Sequence, residues 1–166
     1  MTCAAGSPHH AIRRLARFTL ALSALLSAPA RAALGDDVST VAAAQARLHA
    51  DLTVAQRGSY AIHELAMPTG VRLRHFVGSN GTVFAVSWSG GWRPNLRDVM
   101  GRHYDDFLAA MRGQPLKRGV ARIETADMVV VMGGPPRASF GHVYLTELVP
   151  ADFFSTSHDL LDGRSE

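Results

Sequence analysis

One stretch, residues 71–111, constrains the fold of this chain more than any other, because a strand pattern runs directly into a helix pattern. Its first part, VRLRHFVGSNGTVFAVSW, alternates with a period of two on both sides of Asn80-Gly81. An Asn-Gly pair readily adopts the positive φ angles that two-residue hairpin turns require. The pattern therefore predicts a β-hairpin centred on that turn.

The two strands of this hairpin share one apolar face. With Asn80-Gly81 as the loop, three cross-strand pairs lie on it: Val77 with Phe84, His75 with Val86, and Leu73 with Trp88. The opposite face of the first strand carries Arg72, Arg74 and Phe76. Because a face rich in large apolar side chains is buried in a folded sheet, the Trp88 face is predicted to be core.

The second part of the stretch, NLRDVMGRHYDDFLAAM, has apolar residues at three- and four-residue spacing, which predicts one helix over residues 96–112. Asn95 is suited to cap its first turn, and Gly113 is suited to end it. Such an apolar stripe needs a surface to cover, and the nearest is the hairpin face. We therefore expect Trp88 and Phe107 to meet between sheet and helix.

Strand patterns also flank this stretch, at residues 59–66 before it and at residues 120–124, 128–132 and 138–145 after it. A narrower helical stripe over residues 38–52 predicts an N-terminal helix, either docked or frayed as an arm. The run at 128–132 is apolar without alternation, which indicates burial on both faces, and the N-terminal helix is the candidate cover.

The sequence therefore predicts an α+β fold with an antiparallel sheet of five to six strands in the order βββ-α-βββ. The long amphipathic helix covers one face. The N-terminal helix lies at the edge or on the other face.

Residues 1–32 have the organisation of a signal peptide. A basic region, a short uncharged apolar run over residues 18–28, and small residues at Ala30 and Ala32 follow one another. The apolar run is about half the ~20 residues that a membrane-spanning helix needs, so no transmembrane segment is expected after cleavage. We expect cleavage after Ala32, a single domain over residues 33–154, a loose polar tail over 155–166, and a periplasmic or secreted location.

Removal of this leader changes the charge and the cysteine content. Four of the 17 basic residues and none of the 14 acidic residues leave, so 13 basic residues and a net charge of −1 remain. The basic balance that would favour a nucleic-acid partner therefore belongs to the leader, and none is expected. The lone Cys3 also leaves, so a mature chain starting at Ala33 has no disulfide or thiol chemistry.

Several segments resemble one bacterial family, and the most specific is Val83-Phe84-Ala85-Val86-Ser87-Trp88. The others are Tyr60 to Glu64, Leu73 to Val77, and Pro94-Asn95-Leu96 through Tyr104, with Asn95 where the family pattern suggests aspartate. These residues resemble the family termed domain of unknown function 2844. The resemblance implies an exported, single-domain protein whose mature part begins with an Ala-Leu-Gly-like segment, and it carries no assigned activity.

Histidines are the strongest candidates for chemistry, because no nucleophile motif, metal-binding motif or phosphate loop is present. His63 and His75 would share a metal only if they lie opposite each other, whereas the simplest four-residue turn pairs Ile62 with His75. His103, in the apolar stripe of the helix, is interpreted either as a general base or as a buried neutral residue bonded to a backbone carbonyl. No cofactor is predicted.

The loop before the helix, Ser89-Gly90-Gly91-Trp92-Arg93, is the predicted binding element, because aromatic and arginine side chains anchor interfaces. Arg72, Arg74 and Phe76 would extend it if their sheet face is open. Alternatively, Trp92 folds back as a lid over the start of the helix. We favour a non-enzymatic exported module that binds a partner protein, an envelope component or a small ligand. The alternative is a small periplasmic hydrolase or metal-assisted enzyme that uses His63, His75 or His103.

Overall fold

An antiparallel sheet of seven strands forms the centre of the protein in a computed structural model that describes residues 33–113 and 119–156. The order across the sheet is β1-β2-β3-β4-β7-β6-β5. The strands are β1 (Asp51–Arg57), β2 (Tyr60–Ala66), β3 (Arg72–Gly78), β4 (Val83–Ser89), β5 (Ala121–Glu124), β6 (Met128–Gly133) and β7 (Phe140–Leu145). The α+β class is confirmed. The predicted number of five to six strands is wrong, because the prediction did not include β1.

The sequence prediction missed strand β1, because residues 51 and 52 were assigned to the N-terminal helix and most side chains of the strand are exposed. The predicted N-terminal helix over residues 38–52 is shorter, and α1 (Ser39–Leu48) ends where His49 adopts a left-handed φ of 49°. The chain then extends into β1, which pairs with β2 from Asp51 opposite Ala66 to Arg57 opposite Tyr60. A Gly-Ser turn at residues 58–59 joins the two strands and was a readable hairpin signal.

The central hairpin has the predicted pairing in part. His75 lies opposite Val86 and Leu73 opposite Trp88, as expected. Near the turn, however, the register shifts and Val77 lies opposite Val83, which leaves Phe84 as an extra residue. Such a β-bulge reverses the direction of the following side chains. Phe84 therefore packs on the face opposite Trp88, and the prediction that they share a face is wrong.

The long helix is broken into α2 (Leu96–Met100), a 3₁₀ turn (Gly101–His103) and α3 (Tyr104–Arg112). The break lies at Gly101, whose φ of 54° and ψ of −123° are not helical. A Cβ on this glycine would lie 2.5 Å from the Cβ of Ala33, so the break also admits the N-terminal segment. Asn95 caps α2 as predicted, because its side chain accepts a hydrogen bond from the Arg97 N–H at 3.1 Å.

Helices α1, α2 and α3 all cover the same face of the sheet. Val41 and Ala44 of α1 belong to the same buried cluster as Trp88 and Phe107, which confirms the predicted core face. Placement of α1 on the other face is therefore wrong, because α1 and α3 share this cluster. Between β4 and β5 the chain crosses the sheet through α2 and α3, and β7 then returns beside β4.

The second face of the sheet has its own core of aromatic side chains. Phe153, in α4 (Phe153–Thr156), is fully buried, and its ring centroid lies 5.1–5.6 Å from those of Tyr60, Phe76 and Phe84. Val129 of β6 belongs to this second cluster. The C-terminal segment, rather than the N-terminal helix, therefore covers the second face of β6. Apart from its first two residues, which are in α4, the predicted tail lies outside the described residues.

The segment before α1 is part of the core. Ala33 and Leu34 are buried, and the Leu34 N–H donates to the Val99 carbonyl at 2.9 Å. Gly35 and Asp36 exchange backbone hydrogen bonds with Val83. A hydrogen bond from the Ser39 side chain, together with one from the Ser39 N–H at 2.8 Å, lowers the pKa of the Asp37 carboxyl just before α1. The predicted leader, residues 1–32, lies outside the described residues.

Candidate functional site

An apolar groove of about 230 Å³ opens between α1, the start of α2 and one end of the sheet. The turn between β2 and β3 closes one side, and the loop between β4 and α2 closes another. The groove combines a mostly apolar wall with a few polar groups, the composition that small-molecule sites have. Its lining includes side chains of all these elements: Leu48, Met67, Val71, Leu73, His75, Trp92, Pro94 and Val99.

Two glycines allow the loop before α2 to approach the β2–β3 turn. Gly90 has a φ of 82°, and a Cβ on it would lie 2.5 Å from the Gly70 carbonyl oxygen. Gly91 has a φ of 45°, and a Cβ there would lie 2.8 Å from Val71. Glycine tolerates both the backbone angle and the close contact. The result is that the next residue, Trp92, is held at the mouth of the groove.

Trp92 lines the groove while 61% of its surface remains exposed. The guanidinium of Arg137 lies 5.8 Å from the centre of its ring, within the range of a cation–π contact. Arg93 is exposed beside it. Trp92 and Arg93 therefore lie together beside the groove, and their role in binding stays a prediction. Trp92 lines the groove together with Pro94 and Val99 while most of its own surface is open, so the lid alternative stays a prediction beside the binding loop.

His75 lines the groove and is almost fully buried, with 2% of its surface exposed. It lies directly opposite His63 on β2, because a five-residue turn over residues 67–71 joins the strands. The expectation that Ile62 pairs with His75 is wrong, and the two histidines share a face. Burial lowers the pKa of His63, since the charged imidazolium loses hydration there.

An ion pair bridges the two helices beside the groove. Arg47 of α1 lies 3.3 Å from the carboxylate of Asp98 in α2, and both residues contribute to the lining. Asp98 also suits the first turn of α2, where the helix end is positive. This pair links the two helices that form two of the walls.

The three other predicted binding residues do not join Trp92. Arg72 and Arg74 lie on the second face of the sheet, where both contact Glu64, at 3.2 Å and 2.6 Å. Phe76 is fully buried among the aromatic residues of that face. Side chains alternate across a strand, so these residues point away from the groove that Leu73 and His75 line. The predicted single patch is therefore wrong.

Comparison with known protein families identifies one that matches this chain. A family model described as "Protein of unknown function (DUF2844)" matches residues 30–157, more than half of the chain. The chain belongs to the DUF2844 family. The match includes all seven strands and the whole groove, so the groove is built entirely from the DUF2844 region. Neither the curated proteins nor the solved structures contain a match to this chain.

His103 of this DUF2844 protein lies away from the groove, in the 3₁₀ turn. Its Nδ1 is 3.4 Å from a carboxylate oxygen of Asp127, and its Nε2 accepts a hydrogen bond from Arg102 at 3.3 Å. The expected bond to a backbone carbonyl is therefore wrong, because the turn between β5 and β6 supplies a carboxylate instead. These contacts hold the ring between two elements.

Among residues 33–113 and 119–156, no cluster of three or more potential metal ligands occurs. Within the same part of the chain, no helix is both long enough and apolar enough to span a membrane.

Proposed function

We propose that this protein is an exported, non-enzymatic module that binds a small, largely apolar ligand in the groove beside Trp92. The observation that carries the proposal is a tryptophan with 61% of its surface exposed at the mouth of an apolar groove. An exposed tryptophan offers a large apolar surface with few rotatable bonds, so little conformational entropy is lost on binding.

The size and the chemistry of the groove define the class of ligand. Apolar cavities of about 150 Å³ accept benzene, so a groove of about 230 Å³ has room for a somewhat larger ring or a short acyl chain. The exposed Arg93 at the mouth favours a ligand with an anionic group at its outer end. An apolar side chain of a partner protein or an envelope component would use the same features.

Two matched probes test this proposal by NMR, benzoate and benzyl alcohol, which share a ring and differ in charge. Both should shift the signals of the Trp92 indole and of amides around the groove, and benzoate should bind more tightly because of Arg93. Thr69→Trp, at an exposed position on the rim, should block the groove and abolish these shifts. Ser79→Trp, at an exposed position in the β3–β4 turn, is the control and should leave them unchanged. Shifts that persist in Thr69→Trp would contradict the proposal.

Export is supported by the organisation of residues 1–32. Cleavage after Ala32 would retain Ala33 and Leu34, which the core uses. The intact mass of the protein from its native host should correspond to a chain beginning at Ala33. Retention of Met1 in a cytoplasmic protein would refute export.

A hydrolase or metal-assisted enzyme is the second proposal, and one observation favours it: His63 and His75 lie opposite each other on neighbouring strands. A functional metal site usually needs three or four convergent ligands, so this pair would require a further donor. Metal analysis of the purified protein separates the two proposals. Stoichiometric zinc or copper that is lost in His63→Ala would support the metal site and count against a purely apolar groove.

A further inference from the structure

The edge strand β1 has the features of a strand that pairs with another chain. It is the first strand in the order of the sheet, and among residues 33–113 and 119–156 its only strand neighbour is β2. All seven of its residues pair in regular register with β2, without a bulge. Six of the seven are exposed, including Val54, with 58% of its surface open. An edge strand presents a row of backbone donors and acceptors to any chain that approaches it.

Proteins usually protect such an edge, and β1 lacks the common protections. Its sequence, DLTVAQR, contains no proline or lysine, and its charged residues stand only at the two ends. The opposite edge differs, because β5 has only four residues and its Arg122 and Glu124 form an ion pair at 2.6 Å. Short strands and charges within the strand discourage pairing. The exposed edge of β1 is thus the more suitable of the two for pairing.

We propose that β1 pairs antiparallel with β1 of a second copy, about a two-fold axis at Val54, to form one continuous sheet across a dimer. This register brings Val54 against its own counterpart, Leu52 against Gln56, and Thr53 against Ala55. At each end Asp51 of one copy meets Arg57 of the other. When two copies of β1 run antiparallel, the charge at each end of one strand is therefore opposite to the charge it meets on the other.

Charge selects this arrangement over other pairings of the same strand. A parallel, in-register pair would bring Asp51 close to Asp51 and Arg57 close to Arg57, and like charges across strands are destabilising. An antiparallel pair shifted by two residues would leave both ends without an opposite charge. Within the chain, β2 offers Asp51 and Arg57 only Ala66 and Tyr60 as cross-strand neighbours. Among residues 33–113 and 119–156, the ion pairs are formed by other side chains.

The expected dimer is reversible and depends on concentration. Pairing through one seven-residue strand buries an area at the low end of specific interfaces, so dissociation in the micromolar range is expected. The proposal is independent of the ligand groove, because β1 contributes no residue to the groove lining.

Analytical ultracentrifugation over a wide concentration series tests the proposal on the purified protein. The protein should shift from monomer to dimer as its concentration rises. Val54→Lys should remain monomeric, because two lysines would meet at the two-fold axis. Val120→Lys is the matched control, since Val120 is equally exposed at 57% but lies beside β5, and it should dimerise normally.

A charge swap identifies the register. Asp51→Arg or Arg57→Asp alone should weaken the dimer about tenfold, because each replaces two attractive cross-strand pairs with two repulsive ones. The double variant Asp51→Arg/Arg57→Asp should restore wild-type affinity. Thermal unfolding followed by circular dichroism should show every variant to be folded.

Three results would overturn the proposal. They are a protein that stays monomeric at all concentrations, a Val120→Lys variant that loses the dimer as fully as Val54→Lys, and a double swap that fails to restore it.

Discussion

Gly141→Ala should be strongly destabilising, because Gly141 lies in the middle of the sheet against Trp88. It pairs with Trp88 on β4 and with Met132 on β6. A Cβ at this position would lie 2.6 Å from the Val131 carbonyl oxygen and 2.8 Å from Cε2 of Trp88, and closer still to its Cζ2. Carbon atoms at optimal separation are about 3.5–4.0 Å apart, so either the ladder or the indole must move.

The size of the effect follows from two opposing terms. Overpacking a core costs about 1–3 kcal/mol, and a backbone carbonyl that must shift indicates the upper end of that range. A reduction in the conformational entropy of the unfolded chain offsets about 0.4–1 kcal/mol. The net loss is about 2 kcal/mol, which should lower the midpoint of urea unfolding by about 1 M for a protein of this size.

Trp88→Phe provides the partner for a double-mutant cycle. It removes the indole atoms Cε2 and Cζ2, two of the three nearest heavy atoms that the added methyl group would meet, and the third is the Val131 carbonyl oxygen. Gly141→Ala should therefore cost at least about 1 kcal/mol less in the Trp88→Phe background than in the wild type. Gly113→Ala is the control, since its nearest heavy atom is at an ordinary 3.7 Å, and it should leave the midpoint nearly unchanged. An unchanged midpoint for Gly141→Ala, or additive effects in the cycle, would refute this packing of Trp88 on β7.

Two further predictions concern the second face and the histidine pair. Phe153→Ala should lower the melting temperature by about 10 °C, since truncation of a fully buried phenylalanine costs about 3–5 kcal/mol, whereas Phe154→Ala, at a residue that is 50% exposed, should have little effect. Equal effects of the two substitutions would contradict the role of Phe153. Burial lowers the pKa of His63 in the folded protein, so as the pH falls His63 is protonated in the unfolded chain before it is protonated in the folded one. The free energy of unfolding is therefore unaffected by this histidine above about pH 6.5 and decreases below it. The loss of stability between about pH 7.5 and about pH 5, measured by urea unfolding, should be smaller in His63→Gln than in the wild type, and an equal loss would refute the assignment.

Much of the sheet could be predicted from the sequence, because strand alternation is a local property. Side chains of a strand point alternately to its two faces, so residues 71–77 and 86–88 indicate their faces by pattern alone. Strand patterns also located β5 and β7 to within two residues, and β6 was located from a continuous apolar run bounded by turn residues. It failed at Phe84, because a β-bulge depends on the partner strand as well as on the residues that contain it.

The candidate site was predictable in its anchors and not in its shape. Trp92 and Arg93 were recognisable as an aromatic and a cation on a glycine-rich loop. His75 lines the same groove, whereas Arg72 and Arg74 face away from it. Both facts follow from the sheet register and from the face that α1 covers. These depend on contacts between residues distant in the chain, which periodicity does not encode.

By itself, the sequence determined the elements whose signals are short-range: the location of the central hairpin, the capped start of α2, the alternating strands and the family. The tertiary structure decided where these elements end and what they face. Gly101 interrupts an otherwise continuous helical pattern because Ala33, far away in the chain, packs against it. Strand β1 exists because β2 supplies its hydrogen bonds, although its own side chains are mostly exposed. In both cases the deciding energy comes from a partner that is remote in sequence, so only the folded chain contains the information.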